Sequence, residues 1–166
     1  GGVGTLAVQI AKSYGAEVTG VDSAGKLDMV RELGADHVID YTREDFTRNG
    51  LLYDLIIDVA AYRSTLDYRR ALSPKGAYGV IGGSTARILQ TLLLGPLISI
   101  SEGKKMGLVL HKPNKDLDCV IQLLEAGTAA PVIDRRYPLS DIPEALRYFG
   151  EGQTKGTIVI TVQGEA

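Results

Sequence analysis

The chain has 166 residues, of which 45% are hydrophobic and 23% charged, an ordinary composition for a globular domain. Its formal net charge of −2 gives no basic excess for binding a phosphate backbone, so we expect no nucleic-acid partner. We expect no membrane span, because the longest apolar segment, 88–100, is shorter than the about 20 residues that a bilayer requires. The single cysteine, Cys119, excludes an intrachain disulfide and a cysteine-based zinc cluster.

In the first part of the chain, short apolar segments alternate with segments of helical periodicity. The predicted order is helix 3–14, strand 17–21, helix 26–33, strand 37–40, a polar loop or helical turn at 43–50, and strand 53–59. The same rhythm continues with helix 63–72, a turn at 73–76, strand 77–81, an apolar helix at 85–100 (in one piece, or in two bent at Gly95-Pro96) and strand 106–110.

The pattern changes after this alternation. An amphipathic helix is predicted over 114–126, with Leu117, Val120, Ile121 and Leu124 inward and Cys119 on the same apolar face as a small core residue. An extended segment at 131–138, a helix at 140–149 and a strand at 155–162 follow.

Alternating strands and helices with short connections predict an α/β fold, in which a parallel sheet carries helices on both faces. The continuous apolar character of strand 53–59 agrees, because a strand covered on both faces does not alternate polar and apolar residues. Such a doubly wound sheet binds ligands at the carboxyl ends of its strands.

The first candidate site is the opening sequence Gly1-Gly2-Val3-Gly4, which leads directly into helix 3–14. Glycines at such a turn let the backbone approach a pyrophosphate, and the helix N-terminus supplies free N–H groups and partial positive charge. These residues match only the end of the G-x-G-x-x-G pattern, so a plain glycine turn before a helix is the alternative.

The second candidate is Asp22, which directly follows predicted strand 17–21. An acidic residue about 20 positions beyond the glycines is the expected partner of a ribose 2′-OH in dinucleotide-binding folds. The alternative role for Asp22 is an N-cap on the next helix.

The third candidate is Gly82-Gly83, after strand 77–81, where glycines leave room for a flat ring; a helix-entry turn capped by Ser84 is the alternative. Catalytic residues remain unknown. His37 is expected to be a packing or surface residue, and Asp58 is expected to bond the backbone of the next turn. His111-Lys112 follow strand 106–110 on the side where a ligand would lie.

Four ordered motifs resemble the cofactor domain of the medium-chain dehydrogenase/reductase superfamily, and its zinc-independent quinone oxidoreductase-like members in particular. They are GGVGTLAVQIAKSYGAEVTGVDS, LGADHVIDYTREDF, YDLIIDVA and PVIDRRYPLSDIPEALRYFGEGQTKGTIVITV. The resemblance implies a Rossmann-type doubly wound parallel sheet, truncated before its first strand. It also implies two domains: residues 1–125 as the NAD(P)-binding domain and 126–166 as the C-terminal return segment of the catalytic, GroES-like domain.

The resemblance also implies roles for individual residues. Gly1, Gly2, Val3 and Gly4 match the pyrophosphate turn, and Asp22, Ser23 and Lys26 match the ribose-selecting positions. Tyr41 matches a tyrosine that lies against the 2′-phosphate in NADPH-using relatives. Val59 and Ala60 fall where adenosine packs, and Gly82 and Gly83 fall near the nicotinamide.

Two opposed signals bear on cofactor choice. The Asp22 carboxylate favours NAD(H), since it accepts a bond from a 2′-OH and repels a 2′-phosphate. Ser23, Lys26 and Tyr41 favour NADP(H), since they donate to that phosphate or neutralise it. We expect NADP(H) slightly in preference, with NAD(H) possible and no zinc in this segment.

The resulting functional prediction is the cofactor-binding part of an NAD(P)H-dependent oxidoreductase that transfers hydride to a quinone, enone or related carbonyl without zinc. This fragment is expected to be inactive alone. Two alternatives stay open: the C-terminal domain of a zinc-dependent alcohol dehydrogenase, and a non-catalytic dinucleotide-binding or interaction domain. The resemblance implies a homodimer that pairs through the strand at 106–110. We also expect a cytoplasmic location and a small-molecule substrate.

Overall fold

The computed structural model describes residues 1–110 and 115–162. In chain order its helices and strands are α1 (Gly2–Ser13), β1 (Thr19–Asp22), α2 (Leu27–Glu32), β2 (His37–Asp40), β3 (Tyr53–Asp58), α3 (Thr65–Ala71), β4 (Leu72–Val80), α4 (Thr85–Glu102), β5 (Lys105–Leu108), α5 (Leu117–Glu125), β6 (Ile133–Pro138), α6 (Ile142–Gly150) and β7 (Thr157–Thr161). Every strand pair is parallel, which confirms the α/β class with parallel sheets. Within the described ranges, no helix is both long and apolar enough to cross a bilayer.

Contacts divide the chain into two compact units. The first unit comprises Gly1–Asp40 and Asp116–Ala166, and the second comprises Tyr41–Lys115. The domain boundary expected between residues 125 and 126 stays a prediction.

The first unit holds two parallel strand pairs, β1 with β2 and β6 with β7. In the β1–β2 pair, Asp22 lies opposite Asp40. Gly20 of β1 allows helix α2 to pack closely, because a Cβ at that position would lie 2.3 Å from Cγ1 of Val30. This close packing holds α2 against β1, and the predicted ribose-selecting residues lie at the end of β1 and in the connection to α2.

The second unit is built on a three-stranded parallel sheet in the order β3-β4-β5. Its core contains the stacked rings of Tyr68 and Tyr78, whose centroids are 4.5 Å apart, together with the fully buried Val80. The hydroxyls of Thr65 and Thr91 are hydrogen-bonded at 2.9 Å and tie α3 to α4. A buried interior with its polar groups paired fixes the positions of the strand ends.

The turn predicted at 73–76 is wrong, because these residues belong to β4. The register between β3 and β4 shifts near their beginning, and Lys75 has a φ of 67°. The polar, proline and glycine residues there mark an irregular strand start, since a bulge needs the same residue types as a turn.

Of the two alternatives for the apolar segment at 85–100, the structure shows a single helix that continues through Pro96 to Glu102. Ser99 Oγ donates a hydrogen bond to the Gly95 carbonyl at 2.8 Å. Gly95 also lies against β5, since a Cβ there would be 2.5 Å from the Met106 carbonyl oxygen. The glycine thus reports close helix–strand packing rather than a break.

Two burial predictions are wrong. Helix α5 has no buried residue, and Cys119, predicted to be a small core residue, is exposed. In β3 only Ile56 is buried, while Leu55 and Ile57 are 59% and 46% exposed. Apolar periodicity shows which face can be buried, but it does not show that a covering element belongs to the same chain.

Candidate functional site

The predicted pyrophosphate turn forms an open helix N-terminus in the first unit. Gly1 is the N-cap of α1, no side chain caps the helix, and its first turn contains no acidic residue. A Cβ added at Gly1 or Gly4 would meet no atom of the described residues within 4 Å, and Val3 is half exposed. Gly2 differs, because a Cβ there would lie 2.8 Å from Thr157 Oγ1 of β7. The first-turn N–H groups of α1 therefore have no side-chain cap among the described residues.

The predicted ribose-selecting residues lie together at the end of β1. Asp22 Oδ1 accepts a hydrogen bond from the backbone N–H of Ser23 at 2.8 Å and lies 3.5 Å from Ser23 Oγ. Lys26 Nζ donates to the carbonyl oxygen of Gly152 at 3.0 Å. Asp22 does not cap α2, whose N-cap position is Lys26, so the N-cap alternative for Asp22 is wrong.

The glycine turn and the end of β1 belong to the same compact unit, as residues that bind one pyrophosphate and its adjoining ribose must.

Sequence reasoning missed a cavity beside this group. It has a volume of about 270 Å³ and is lined by Ser23, Gly25, Lys26, Gly152, Gln153 and Lys155. Its walls come from two segments that lie far apart in the sequence, so no local motif indicated it. The one available signal in the sequence was Lys155, at the start of the last predicted strand. Its position in the sequence does not show which residues lie near it in space.

These residues fit a nicotinamide dinucleotide. The uncapped α1 terminus provides N–H donors for a pyrophosphate, and the Asp22 carboxylate can accept a bond from a ribose hydroxyl. The nearby lysine and serine could instead donate to a 2′-phosphate. The donor set therefore fits both forms of the cofactor.

In the second unit, the residues predicted to contact adenosine and nicotinamide lie where the chain leaves β3 and β4. A Cβ at Gly82 would lie 2.9 Å from the Val59 carbonyl oxygen. Gly83 has a φ of 124°, and a Cβ there would lie 2.3 Å from the Ala61 nitrogen. The Ala61 N–H also donates to the Gly82 carbonyl at 2.9 Å. Close backbone packing thus requires both glycines, while their contact with a cofactor stays a prediction.

The structure gives Ser84 the N-cap position of α4, but its side chain makes no capping bond. Its backbone N–H donates instead to the Ala61 carbonyl at 3.1 Å. Ala60 and Val59 are exposed beside this crossing, and the Ala60 N–H donates to Asp58 Oδ1 at 3.2 Å. That bond confirms the expectation that Asp58 holds the following turn.

Tyr41, the predicted 2′-phosphate neighbour, packs in the second unit against Tyr62. Their ring centroids are 5.8 Å apart and both rings are about half exposed. The guanidinium carbon of Arg63 lies 5.2 Å from the Tyr62 ring centroid, and its side chain also forms an ion pair with Asp45. These residues form an exposed aromatic surface, and Tyr62 is a member that the sequence did not indicate.

The remaining candidates do not form a catalytic cluster. His37 is exposed and bonds Glu17 at 2.8 Å, so of its two expected roles, packing or surface residue, the structure shows the surface one. His111 and Lys112 lie outside the described residues. Among residues 1–110 and 115–162, no three His, Cys, Asp or Glu side chains are grouped as a metal site.

Comparison with known proteins connects this geometry to a family. A family profile described as "Zinc-binding dehydrogenase" matches residues 33–160. The chain is 32% identical to mouse (Mus musculus) "NAD(P)H oxidoreductase RTN4IP1, mitochondrial", over 98% of this chain and 46% of that protein. It is 31% identical to tomato (Solanum lycopersicum) "2-methylene-furan-3-one reductase", over 96% of this chain and 38% of that protein.

Solved structures agree on the fold. The quinone oxidoreductase from Coxiella burnetii superposes with a TM-score of 0.79 at 24% identity, covering 98% of this chain and 50% of that one. The fold is therefore of the Rossmann type found in such dehydrogenases. The chain spans about half the length of the curated relatives that it matches.

Proposed function

Because the chain belongs to the zinc-binding dehydrogenase family, within the medium-chain dehydrogenase/reductase superfamily, we propose that it forms the NAD(P)-binding portion of an oxidoreductase. The proposed reaction is hydride transfer to a quinone, enone or related carbonyl compound without zinc. The observation that carries the proposal is the grouping of Asp22, Ser23 and Lys26 after β1, where Ser23 and Lys26 line one cavity. The name of the tomato relative, an enone reductase, supports the substrate class.

Each part of the first unit has a defined role in this proposal. The N–H groups of Gly2, Val3 and Gly4 bind the pyrophosphate, where the helix dipole adds favourable charge. Asp22 and Lys26 contact the ribose and its 2′ group, which is a hydroxyl in NAD(H) and a phosphate in NADP(H). The bound dinucleotide supplies the hydride from its nicotinamide ring, and the chain positions that ring and shields it from water.

We assign the cofactor as NADP(H) in preference to NAD(H). Ser23 and Lys26 offer donors beside the end of β1, whereas Asp22 offers the only carboxylate in that predicted trio. Replacing Asp22 with Gly removes the repulsion of a 2′-phosphate, so NADPH affinity should rise and NADH affinity should fall. If titration of the variant showed no gain for NADPH, the repulsion by Asp22 would be disproved.

Turnover tests the function directly. The full-length protein should oxidise NADPH when given a quinone or an enone, while this chain alone should show little or no turnover. Failure of the full-length protein to oxidise either dinucleotide with either acceptor would favour a non-catalytic binding domain instead. The family description favours one second candidate, a zinc-dependent alcohol dehydrogenase. Metal analysis of the active full-length protein separates the two, since bound zinc required for turnover would overturn the zinc-free mechanism.

The proposal includes a homodimer formed through β5 and a cytoplasmic location. Among the described residues β5 pairs only with β4, so its other edge is available for a second copy. Val109 and Leu110 just beyond it are 51% and 72% exposed. A monomeric mass in solution at micromolar concentration would count against the dimer. Cell fractionation tests the location, since the mouse relative is named as mitochondrial.

A further inference from the structure

We propose that Lys155, near the C-terminal end of the chain, binds the 2′-phosphate of NADPH together with Lys26 and Ser23, and so helps to select NADPH over NADH. This inference rests on the proposed function, because it assigns a part of the same cofactor site. It adds a residue from a distant segment, to which neither the glycine motif nor the strand-end pattern pointed.

The cavity beside β1 has the composition of an anion site. Ser23 and Lys26 form one wall, and Gly152, Gln153 and Lys155 form the other. Two ammonium groups, one hydroxyl and one amide can all donate hydrogen bonds to phosphate oxygens. A 2′-phosphate carries about −1.5 to −2 charges at pH 7, so two lysines match its charge.

The position of the cavity identifies which phosphate it suits. Ser23 is adjacent to Asp22, the residue placed to accept the ribose 2′-OH, and it lines the cavity wall. A phosphate on that ribose would extend from the Asp22 position toward Ser23 and Lys26. The pyrophosphate has its own donors at the start of α1.

The second wall is held firmly by backbone contacts. The Lys155 N–H donates to Asp134 Oδ2 at 2.9 Å, and a Cβ at Gly156 would lie 2.3 Å from the Val132 carbonyl oxygen. The Gly152 carbonyl accepts a bond from Lys26 Nζ at 3.0 Å, which connects the two walls. The backbone that carries Lys155 is therefore positioned before any ligand binds.

Two further observations indicate unused donors in this segment. No residue in the described ranges forms an ion pair with the Lys155 ammonium group. Thr154, only 6% exposed between two lining residues, has an Oγ1 without a hydrogen-bond partner among the described residues. A buried hydroxyl of this kind is costly, so this segment carries a polar group that its described contacts leave unsatisfied.

Two carboxylates near the cavity determine how much Lys155 contributes to NADPH binding. Asp22 repels a 2′-phosphate, and Asp134 stands behind the wall, where it accepts bonds from Tyr148 and Lys155. One lysine alone would be opposed by Asp22 at close range. With both lysines the charges of Asp22 and Asp134 are balanced, whereas without Lys155 the surroundings would carry a net negative charge, and this makes Lys155 decisive for NADPH.

The experiment compares NADPH and NADH binding to the full-length protein by fluorescence titration. Lys155→Gln should weaken NADPH binding about tenfold and leave NADH binding unchanged. Lys155→Arg should retain most of the NADPH affinity because it keeps the charge. Lys75→Gln is the matched control, since Lys75 is exposed in β4 of the second unit and carries the same charge.

Circular dichroism of each variant confirms folding, and the NADH titration gives a second check on an intact site. Equal weakening of both dinucleotides, or no change for NADPH in Lys155→Gln, would overturn the role of Lys155 while leaving cofactor binding by the wild type intact. A wild type that binds neither dinucleotide would instead overturn the proposed function, and this inference with it. An equal loss in Lys75→Gln would show a general charge effect and also contradict the proposal.

Discussion

Helix α1 of the first unit and helix α3 of the second unit differ in how the N–H groups of their first turns are satisfied. In the second unit, α3 is closed by a capping box: Ser64 Oγ accepts a bond from the Asp67 N–H, and the Asp67 carboxylate accepts one from the Ser64 N–H. In the first unit, α1 has no side-chain cap and no acid in its first turn. A helix start that is satisfied internally serves folding, whereas one left open can serve a ligand.

The glycines show the same contrast. Gly1 and Gly4 have no described atom near the position of a Cβ, while Gly82 and Gly83 are crowded by the backbone of Val59 and Ala61. Glycines that look alike in the sequence therefore differ in what requires them. At Gly82 and Gly83 the fold itself requires glycine, whereas at Gly1 and Gly4 no described atom does.

The largest change in the free energy of unfolding is expected for Gly83→Ala. The substitution places a methyl group 2.3 Å from the Ala61 nitrogen at a φ of 124°. Steric conflict and backbone strain together should lower the free energy of unfolding by about 3 kcal/mol. Urea unfolding followed by circular dichroism measures this loss. A change below about 0.5 kcal/mol in the free energy of unfolding would show that the backbone around Gly83 relaxes easily. The fold would then not require glycine at this position.

The next effect concerns the interior of the second unit at high pH. Burial, with Asp58 as a further cause, raises the pKa of the Tyr78 hydroxyl, which donates to Asp58 Oδ2 at 3.2 Å. Tyr78 in the unfolded chain ionises near pH 10, so its stabilising contribution is complete below that pH and is lost as the pH rises above it. Tyr78→Phe should cost about 2 kcal/mol at pH 7, because the bond to a charged carboxylate is lost.

Above pH 10, the difference between Tyr78→Phe and the wild type should narrow, because only the wild type carries this titrating group. Thermal unfolding at pH 7 and at several higher values measures both quantities. A constant difference over that range would mean that Tyr78 ionises equally in the folded and unfolded states.

The sequence predicted the local features of the site and missed the long-range ones. The glycine turn and Asp22 could be found because their spacing reflects one strand–turn–helix unit. Lys155 could not, because its proximity to Lys26 depends on a contact between segments 126 residues apart, seen in the bond from Lys26 to Gly152. Cys119 and the apolar residues of β3 were misjudged for a different reason: periodicity reports amphipathicity, while burial depends on what covers the face. At 73–76, residue preferences shared by turns and bulges led to the wrong element.

A smaller effect tests the open helix start. Gly4→Ala should leave the free energy of unfolding unchanged or raise it by up to about 1 kcal/mol, since alanine favours the helix and no described atom opposes its methyl group. The same methyl group would occupy the space through which the pyrophosphate approaches, so affinity for NADPH and NADH should fall about tenfold, or about 1.4 kcal/mol. Unchanged affinity in a folded variant would contradict the role assigned to this turn.

The smallest effect tests the closed helix start of the second unit. Ser64→Ala removes the Oγ acceptor of the Asp67 N–H and one partner of the Asp67 carboxylate, whose pKa is lowered mainly by its bond with Ser64. Loss of such a cap costs about 1 kcal/mol of unfolding free energy at pH 7. Because a lowered carboxyl pKa stabilises the fold above the unfolded value and is lost on acidification, the deficit should shrink as the pH falls below about 4. Cofactor affinity should stay at the wild-type level, since this helix start satisfies its own donors. A selective loss of dinucleotide binding in Ser64→Ala would place α3 in the ligand site and remove the distinction between the two helix starts.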